Sequence, residues 1–410
     1  MQQTLKNIVG LCALGAILLL IGCRGSSNGG GNSPTPAPSP PERITFSGVG
    51  ARGIFDPSIA RDPSDVTGRL WMSYSAVDPS LTWSALNVDA IATRLAYSND
   101  NGKTWTDSGT IVRNFLDVTL PLASPRDAGT WVNEVSQLIY DPNAIATERW
   151  KILWHHYLVL NRLPIDERRR FEHGWIAMKM AGRPEDLAAA PEIKLFAGKI
   201  YDAVNNTTGT PLLQLDTLNA ALNGCAVFTE PGMYASNGAL YVSLQCEVFD
   251  FAVTPPVPIN RLIVLLKCAS LCGSAASWSY QETLLQKSDA LAFGFDSGFA
   301  APGMFASAGS VYLVVTGAQF VTPPIGAAYV SYSGCRIFRF ADIDSALLQK
   351  TGAQPTLIGS VNGTAGSFNG ACSYHASANQ SGMFYGEVRP AAIDKFQIFM
   401  SHVNFQGNFR

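Results

Sequence analysis

The chain has 410 residues, of which 29 are basic and 31 acidic, for a formal net charge of −2 at pH 7. With charge this balanced and no basic run, nucleic acid is not expected as a partner. The length exceeds an average domain but is ordinary for one closed all-β architecture.

In chain order, "MQQTLKNIVGLCALGAILLLIGC" comes first. One early lysine precedes an apolar run from Ile8 to Ile21, too short to span a bilayer comfortably and typical of a secretory signal. Its ending, Leu20-Ile21-Gly22-Cys23, resembles the lipobox of bacterial lipoproteins. That resemblance implies cleavage before Cys23 and lipidation there, with Arg24 favouring sorting to the outer membrane. "RGSSNGGGNSPTPAPSPPE" follows, half Gly/Ser coil and half Pro-rich extended chain, and reads as a tether. The expected organisation is a signal peptide over 1–22, a lipid-anchored tether over 23–41 and one domain over 42–410. The mature domain is expected to meet the membrane only through that lipid, and to be monomeric.

Within 42–410 one phrase recurs. "FTEPGMYASNGALYVSLQC" begins at Phe228 and "FAAPGMFASAGSVYLVVTG" at Phe299. Fainter copies are "FDPSIARDPSDVTGRLWMSYS" from Phe55, "NEVSQLIYDPNAIATERWKILWHHY" from Asn133 and "GACSYHASANQSGMFYGEV" from Gly370. Each is a short strand, a turn and an aliphatic-aromatic strand, with Gly68, Gly238, Gly309 and Gly382 expected in the turns. A third strand follows each hairpin: "TRLAYSND", "GWIAMKMAG", "RLIVLLKCAS", "CRIFRFAD" and "KFQIFMSHV". Four copies continue into an outer strand, such as "WTDSGTIV" or "WSYQETLL"; the last does not. The pattern predicts an all-β, five-bladed β-propeller with four-stranded antiparallel blades. The unpartnered "ERITFSGVG" is expected to close the ring against the last blade.

Aligning the inner strands brings Ser58, Ser136, Gly232, Gly303 and Ser373 into register, all small, as crowding at an axis requires. Because strand side chains alternate, residues two before share a side: Asp56, Glu134, Glu230, Ala301 and Ala371. Residues two after are Ala60, Leu138, Tyr234, Phe305 and His375. Three carboxylates around one axis disfavour joint ionisation, and so separate into proton donor and ionised partner. Glycosidic bond cleavage needs such a pair.

This arrangement resembles the five-bladed glycosidases of the arabinanase, xylosidase and invertase type, families 43 and 32. "FDPS" is similar to their first-blade Asp-Pro motif and implies a base or nucleophile at Asp56. "TEPG" is similar to their later Glu motif and implies the general acid at Glu230. The intermediate acid would fall on Glu134, where those families usually carry aspartate. The implied partner is a carbohydrate. A second likeness is "SNDNGKTW", Ser98 to Trp105, which matches the Asp-box of sialidases and implies propeller ancestry; as a turn motif it caps a hairpin. A sialidase-like hydrolase is the alternative, weakened because Arg52, Arg61 and Arg94 share no register for an arginine triad. A non-catalytic binding propeller is the other alternative.

Phe55 and Trp131 are candidates to stack on a sugar face, or simply core aromatics. Asn133 is placed to bond a hydroxyl, or to satisfy a turn. His375 lines the channel, or ligates an axial ion as in some related propellers, or is a satisfied core histidine, which is the preferred reading; no cofactor or metal is expected. His155 and His156 face opposite sides of one strand. After Cys12 and Cys23, six cysteines remain, an even number that in an exported chain suggests disulfides. Cys225 with Cys246 is favoured, then Cys268 with Cys272 and Cys335 with Cys372.

Overall fold

The computed structural model describes residues 41–49, 53–77, 91–117, 129–160, 169–201, 212–250, 252, 257–321, 329–364, 367–377, 380–388 and 397–402. Cys23, the tether up to residue 40, Gly50 and Arg52 lie outside the described residues.

The described chain is nearly all strand. Two short strands, β1 (Glu42–Arg43) and β2 (Thr45–Ser47), precede a meander of β3 (Ile54–Ala60), β4 (Leu70–Val77), β5 (Ile91–Ser98) and β6 (Thr104–Val112). After the short β7 (Phe115–Asp117) comes a second meander: β8 (Gly129–Tyr140), β9 (Trp150–Leu160), β10 (Arg169–Ala181) and β11 (Ile193–Ala197), with β12 (Leu213–Gln214) at its outer edge. The third is β13 (Val227–Ser236), β14 (Ala239–Asp250), β15 (Val257–Cys268) and β16 (Trp278–Leu285). A short helix, α1 (Lys287–Ala292), leads to β17 (Gly298–Ser307), β18 (Ser310–Val321) and β19 (Tyr329–Asp342). Small strands β20 (Leu347–Leu348), β21 (Lys350–Thr351) and β22 (Gln354–Pro355) precede β23 (Leu357–Val361), which pairs with β19. The last meander is β24 (Phe368–Ser377), β25 (Gln380–Val388) and β26 (Gln397–His402).

Second strands are buried on both faces, β4 throughout, because each sheet is covered by neighbours on either side. The outer β6 is half exposed. The strands that open the meanders, β3, β8, β13, β17 and β24, pack side by side in that order, and β24 packs back against β3. Apolar clusters fill the spaces between successive meanders. Leu153 and Met178 meet Phe228 and Leu244, Ile263 and Leu265 meet Phe299 and Leu313, and Val314 and Ile337 meet Tyr374 and Tyr385. Ile54, Met72 and Trp105 of the first meander meet Phe384 and Met400 of the last.

The N-terminal segment is shared between the first and last meanders. Glu42 and Arg43 pair antiparallel with Met400 and Phe399 of β26, and Ile44 N–H donates to Ile398 O at 3.1 Å. Residues Thr45 to Ser47 then run parallel to β6, so only the first half of the expected closing strand joins the last meander.

Local chemistry explains the turns. Asn237-Gly238 and Ala308-Gly309 form two-residue hairpin loops with positive φ at both positions (51° and 75°; 47° and 74°). Gly382 departs from expectation: it lies inside β25 opposite His375, where an added Cβ would stand 2.8 Å from Met400 Sδ. All three expected disulfides form: Cys225–Cys246, Cys268–Cys272 and Cys335–Cys372.

Candidate active site

Each innermost strand carries a β-bulge. The register breaks between Phe55 and Ser58, Glu134 and Gln137, Thr229 and Gly232, Ala300 and Gly303, and Gly370 and Ser373. The first bulge residue has left-handed backbone in every case: Asp56 (φ 51°), Val135 (51°), Glu230 (50°), Ala301 (44°) and Ala371 (53°). Bulges re-aim side chains, and four of these five residues, Asp56, Val135, Ala301 and Ala371, line one small opening together with Pro57, Pro231, Pro302 and Gln137.

The bulges correct the sequence alignment of the second copy by one residue. Val135, not Glu134, is the counterpart of Asp56 and Glu230, and Gln137, not Ser136, is the counterpart of Ser58. The inner ring is therefore not uniformly small. Ser136 instead bonds Ser73 Oγ at 2.9 Å, bridging β8 to β4. By the same shift Ile139 replaces Leu138 beside Ala60 and His375; Leu138 N–H donates to Ser58 Oγ at 2.9 Å.

Both other acids nevertheless act electrostatically on Asp56. Asp56 Oδ2 accepts from Ser75 Oγ at 2.7 Å and from Val135 N–H at 3.3 Å. Asp56 is half-buried, and loss of hydration pushes its pKa well above the ordinary carboxylate value, with Glu134 adding repulsion, Ser75 opposing and Glu230 adding further repulsion. Glu134 stands one position before the bulge, and its Oε1 accepts from Tyr157 Oη at 2.5 Å. Glu230 Oε2 accepts from Ala301 N–H at 2.6 Å and Oε1 from Tyr332 Oη at 3.1 Å. Burial raises the Glu230 pKa to about 7, with Arg261 pulling it down and Glu247 pushing it up.

Sequence reasoning missed Ser75, Tyr157, Tyr332, Arg261 and Glu247. All sit on second or third strands, at positions where the strand pattern shows only an alternating side chain. Glu247 and Arg261, each a charged residue beside a strongly apolar stretch, were the one available signal.

Other candidates have structural duties. Trp131 is 3% exposed and lies flat on His156, ring centroids 4.9 Å apart. Asn133 is fully buried: its Oδ1 accepts from Trp154 Nε1 at 2.9 Å and bonds His156 Nδ1 at 2.5 Å, while Nδ2 donates to Arg113 O at 3.0 Å. Both polar atoms of that buried amide are thus already bonded within the protein. Burial holds His156 neutral, its pKa lowered to about 3, so its Nδ1 carries the proton given to Asn133. Phe55 is half-buried against Ile91, Val132 and Tyr157. His375 is half-buried; burial and Arg61 lower its pKa to about 4, and Nδ1 has no partner among the described residues. Among those residues no group of three or more His, Cys, Asp or Glu side chains is arranged to hold a metal ion.

The "SNDNGKTW" segment forms the β5–β6 turn, remote from the acids. Ser98 Oγ accepts from Gly102 N–H at 2.9 Å, Asp100 accepts from Thr104 N–H at 2.9 Å and from Thr104 Oγ1 at 2.6 Å, and Trp105 Nε1 donates to Gly102 O at 2.9 Å. Arg94 is held by Asp107 and Thr110 on the outer strand and is not part of an axial arginine triad.

No family model matches the chain, and no curated protein matches it. Solved structures do. A thermostable family-43 glycoside hydrolase is 12% identical over 86% of this chain and 90% of its own, with a TM-score of 0.47. An alpha-L-arabinofuranosidase from Lactobacillus brevis is 12% identical over 87% and 93%, with a TM-score of 0.49. A GH32 beta-fructofuranosidase from Bombyx mori is 11% identical over 88% of this chain, which spans 61% of that enzyme's length, with a TM-score of 0.48. These neighbours are glycosidases. Similarity this low assigns neither substrate nor catalytic residues to the chain.

Proposed function

We propose that the chain is a glycoside hydrolase built on a five-bladed propeller and carried on the bacterial outer membrane by a lipid at Cys23. What supports this reading is that Asp56 lies under the charge of both Glu134 and Glu230, and that burial raises the Glu230 pKa to about 7. Glu230 gives that proton to the leaving glycosidic oxygen as the bond to the anomeric carbon breaks. Asp56, ionised, attacks that carbon or takes a proton from the attacking water. Glu134, fixed by Tyr157, loads the Asp56 environment with negative charge and orients it. The cluster sheds its protons stepwise, so activity needs a pH at which Asp56 is ionised and Glu230 is not.

A second reading has its own observation. Asp56 and Glu230 each accept the backbone N–H of the next strand's bulge residue, Val135 and Ala301. Carboxylates serving only as such acceptors would suit a carbohydrate-binding propeller without turnover. A screen of the chain from Pro41 onward against aryl glycosides and plant and microbial polysaccharides separates the two. Hydrolysis abolished by both Glu230→Gln and Asp56→Asn supports the enzyme; polysaccharide binding without product supports the binder.

A further inference from the structure

The two oxygens of Glu230 keep different company. Oε2 accepts from Ala301 N–H at 2.6 Å, and Oε1 accepts from Tyr332 Oη at 3.1 Å. The amide is fixed in β17 and can only donate. The phenol can donate or accept, by turning its hydrogen about the C–O bond. Tyr332 is held for this contact from two sides. Its ring lies on Phe368, with centroids 4.8 Å apart and planes 29° apart. A β-bulge follows it directly: Thr316 pairs with Cys335 but Ala318 with Tyr332, so Ser333 and Gly334 stand opposite Gly317 alone. Gly334 has φ 88°, and an added Cβ there would collide with Val361 O. A bulge re-aims the side chains beside it, and this one fixes where Tyr332 reaches.

These partners determine where a proton on Glu230 sits. In a neutral carboxyl one oxygen becomes O–H and the other stays a carbonyl, which is the better acceptor. Protonating Oε2 would weaken the shorter of the two bonds, and the amide has no way to reverse. The proton therefore belongs on Oε1, whose partner can serve either form. We propose that Tyr332 is a positioning residue for Glu230, its hydroxyl holding the acid proton on Oε1 until transfer and donating to the same oxygen once the proton has gone. The inference rests on Glu230 being the general acid. When a glycosidic oxygen arrives, the Oε1 hydrogen turns to it and crosses as the bond to the anomeric carbon breaks. The phenol turns back to donate to the carboxylate left behind. Tyr332 keeps its own proton throughout, since burial and then the charge of Glu230 push the phenol well above its ordinary pKa.

The other charged groups acting on Glu230 are Arg261 on β15, which favours its carboxylate, and Glu247 on β14, which opposes it. Asp56 on β3 and Glu230 repel each other, and Glu134 on β8 acts on Asp56. None of these is altered by a change at Tyr332.

The test uses the mature chain carrying glutamate labelled with ¹³C at the side-chain carboxyl. The Glu230 resonance is assigned by its loss in Glu230→Gln and titrated by NMR. Tyr332→Phe keeps the ring on Phe368 and removes only the hydroxyl. It should raise the Glu230 midpoint by about half a pH unit or more, because the carboxylate loses a charge-assisted bond and the neutral acid a weaker one. In the same variant kcat on glycosides with poor leaving groups should fall by about tenfold or more, with KM close to native. Activated aryl glycosides, which need little protonation, should be cleaved at close to the native rate. A tyrosine that only fills space would move neither the midpoint nor this contrast. If Tyr332→Phe does not fold, a 3-fluorotyrosine at position 332 decides, since it keeps ring and hydroxyl but donates more strongly and should lower the midpoint. An unmoved midpoint in the folded protein, or equal loss on both substrate types, would overturn the inference. Titration is read without turnover, so the two levels fail separately. The stated shift in a protein that cleaves no glycoside supports the proton placement and sinks the glycosidase reading. An active enzyme with an unmoved midpoint sinks the role of Tyr332 alone.

Discussion

Under the proposed function Glu230 would meet two demands at once, as a proton donor and as the acceptor for Ala301 N–H, of which the second is the observed bond. Sequence comparison with Ala301 suggests that Glu230→Ala should fold as well as the native chain or better. The structure reverses that expectation: truncation leaves the Ala301 amide buried without its acceptor, at a cost of about 1–3 kcal/mol. Glu230→Gln keeps an acceptor and should melt within a degree or two of native, while turnover of unactivated glycosides falls by roughly a hundredfold or more. Thermal melts beside rate measurements check both halves; a Glu230→Gln enzyme at native rate excludes Glu230 as the acid. The pH dependence has a definite sign. Because folding raises the Glu230 pKa from 4.5 to about 7, the native state holds the extra proton between those values. Its contribution to stability is therefore complete below about 4.5 and is lost as pH rises through about 7. Chemical denaturation across that window should show stability declining toward neutral pH, with a shallower decline in Glu230→Gln. Activity should fall above about pH 7 for the same reason. Asp56 and Glu230 were legible as sites because a Pro follows each and the repeats place them together. Glu134 was legible as an acid but not at its register, since nothing in the residue types reveals that the second bulge sits one residue later. The duties of Trp131 and Asn133 were hidden, because burial depends on what packs above them.

At the scale of elements, the hairpins were the most readable part. Asn237-Gly238 and Ala308-Gly309 declare their turns, because the two positive φ values are cheap for Gly and tolerable for Asn. Gly382 misled for the opposite reason. Glycine also serves where a side chain would collide, and at that position the thioether of Met400 fills the space. The β5–β6 turn offers the sharpest test of an element. Asp100 accepts from both the amide and the hydroxyl of Thr104, and Ser98 Oγ donates to it at 2.8 Å. Asp100→Ala removes these bonds at once and should cost about 1–2 kcal/mol, as loss of a capping side chain does. Trp105→Ala should cost more, about 3–5 kcal/mol, since the ring is 1% exposed and meets Phe384 edge-on at 6.0 Å. Neither change touches the axial acids, so kcat of the folded variants should stay native. A loss of turnover in a folded Asp100→Ala protein would bring the Asp-box into the catalytic account and revive the sialidase-like reading.

The whole molecule depends on how its first and last meanders meet. Ser373 Oγ accepts from Ile59 N–H at 3.0 Å, joining β24 to β3 near the axis. At the rim the connection is made by the N-terminal segment, with β1 on β26 and β2 on β6. Ile44, between them, is 6% exposed and belongs to the apolar cluster that holds Ile54, Trp105, Phe384 and Met400. Removing residues 24–40 leaves all of these contacts in place and should not change the melting temperature. Removing residues 24–47 takes away β1, Ile44 and β2 together. The backbone groups of β26 and β6 that those strands satisfied become open edges, which invite pairing between molecules. The loss of Ile44 alone, read from Ile44→Ala, should cost about 2–4 kcal/mol. The longer truncation must exceed that, because it adds the lost strand pairing. Its signature should be a lower melting temperature with concentration-dependent association in light scattering, while Ile44→Ala lowers the melting temperature without association. If the two truncations melt alike and both stay monodisperse, the N-terminal segment is an appendage, and the Ser373–Ile59 contact with the Trp105–Phe384 cluster closes the first and last meanders unaided.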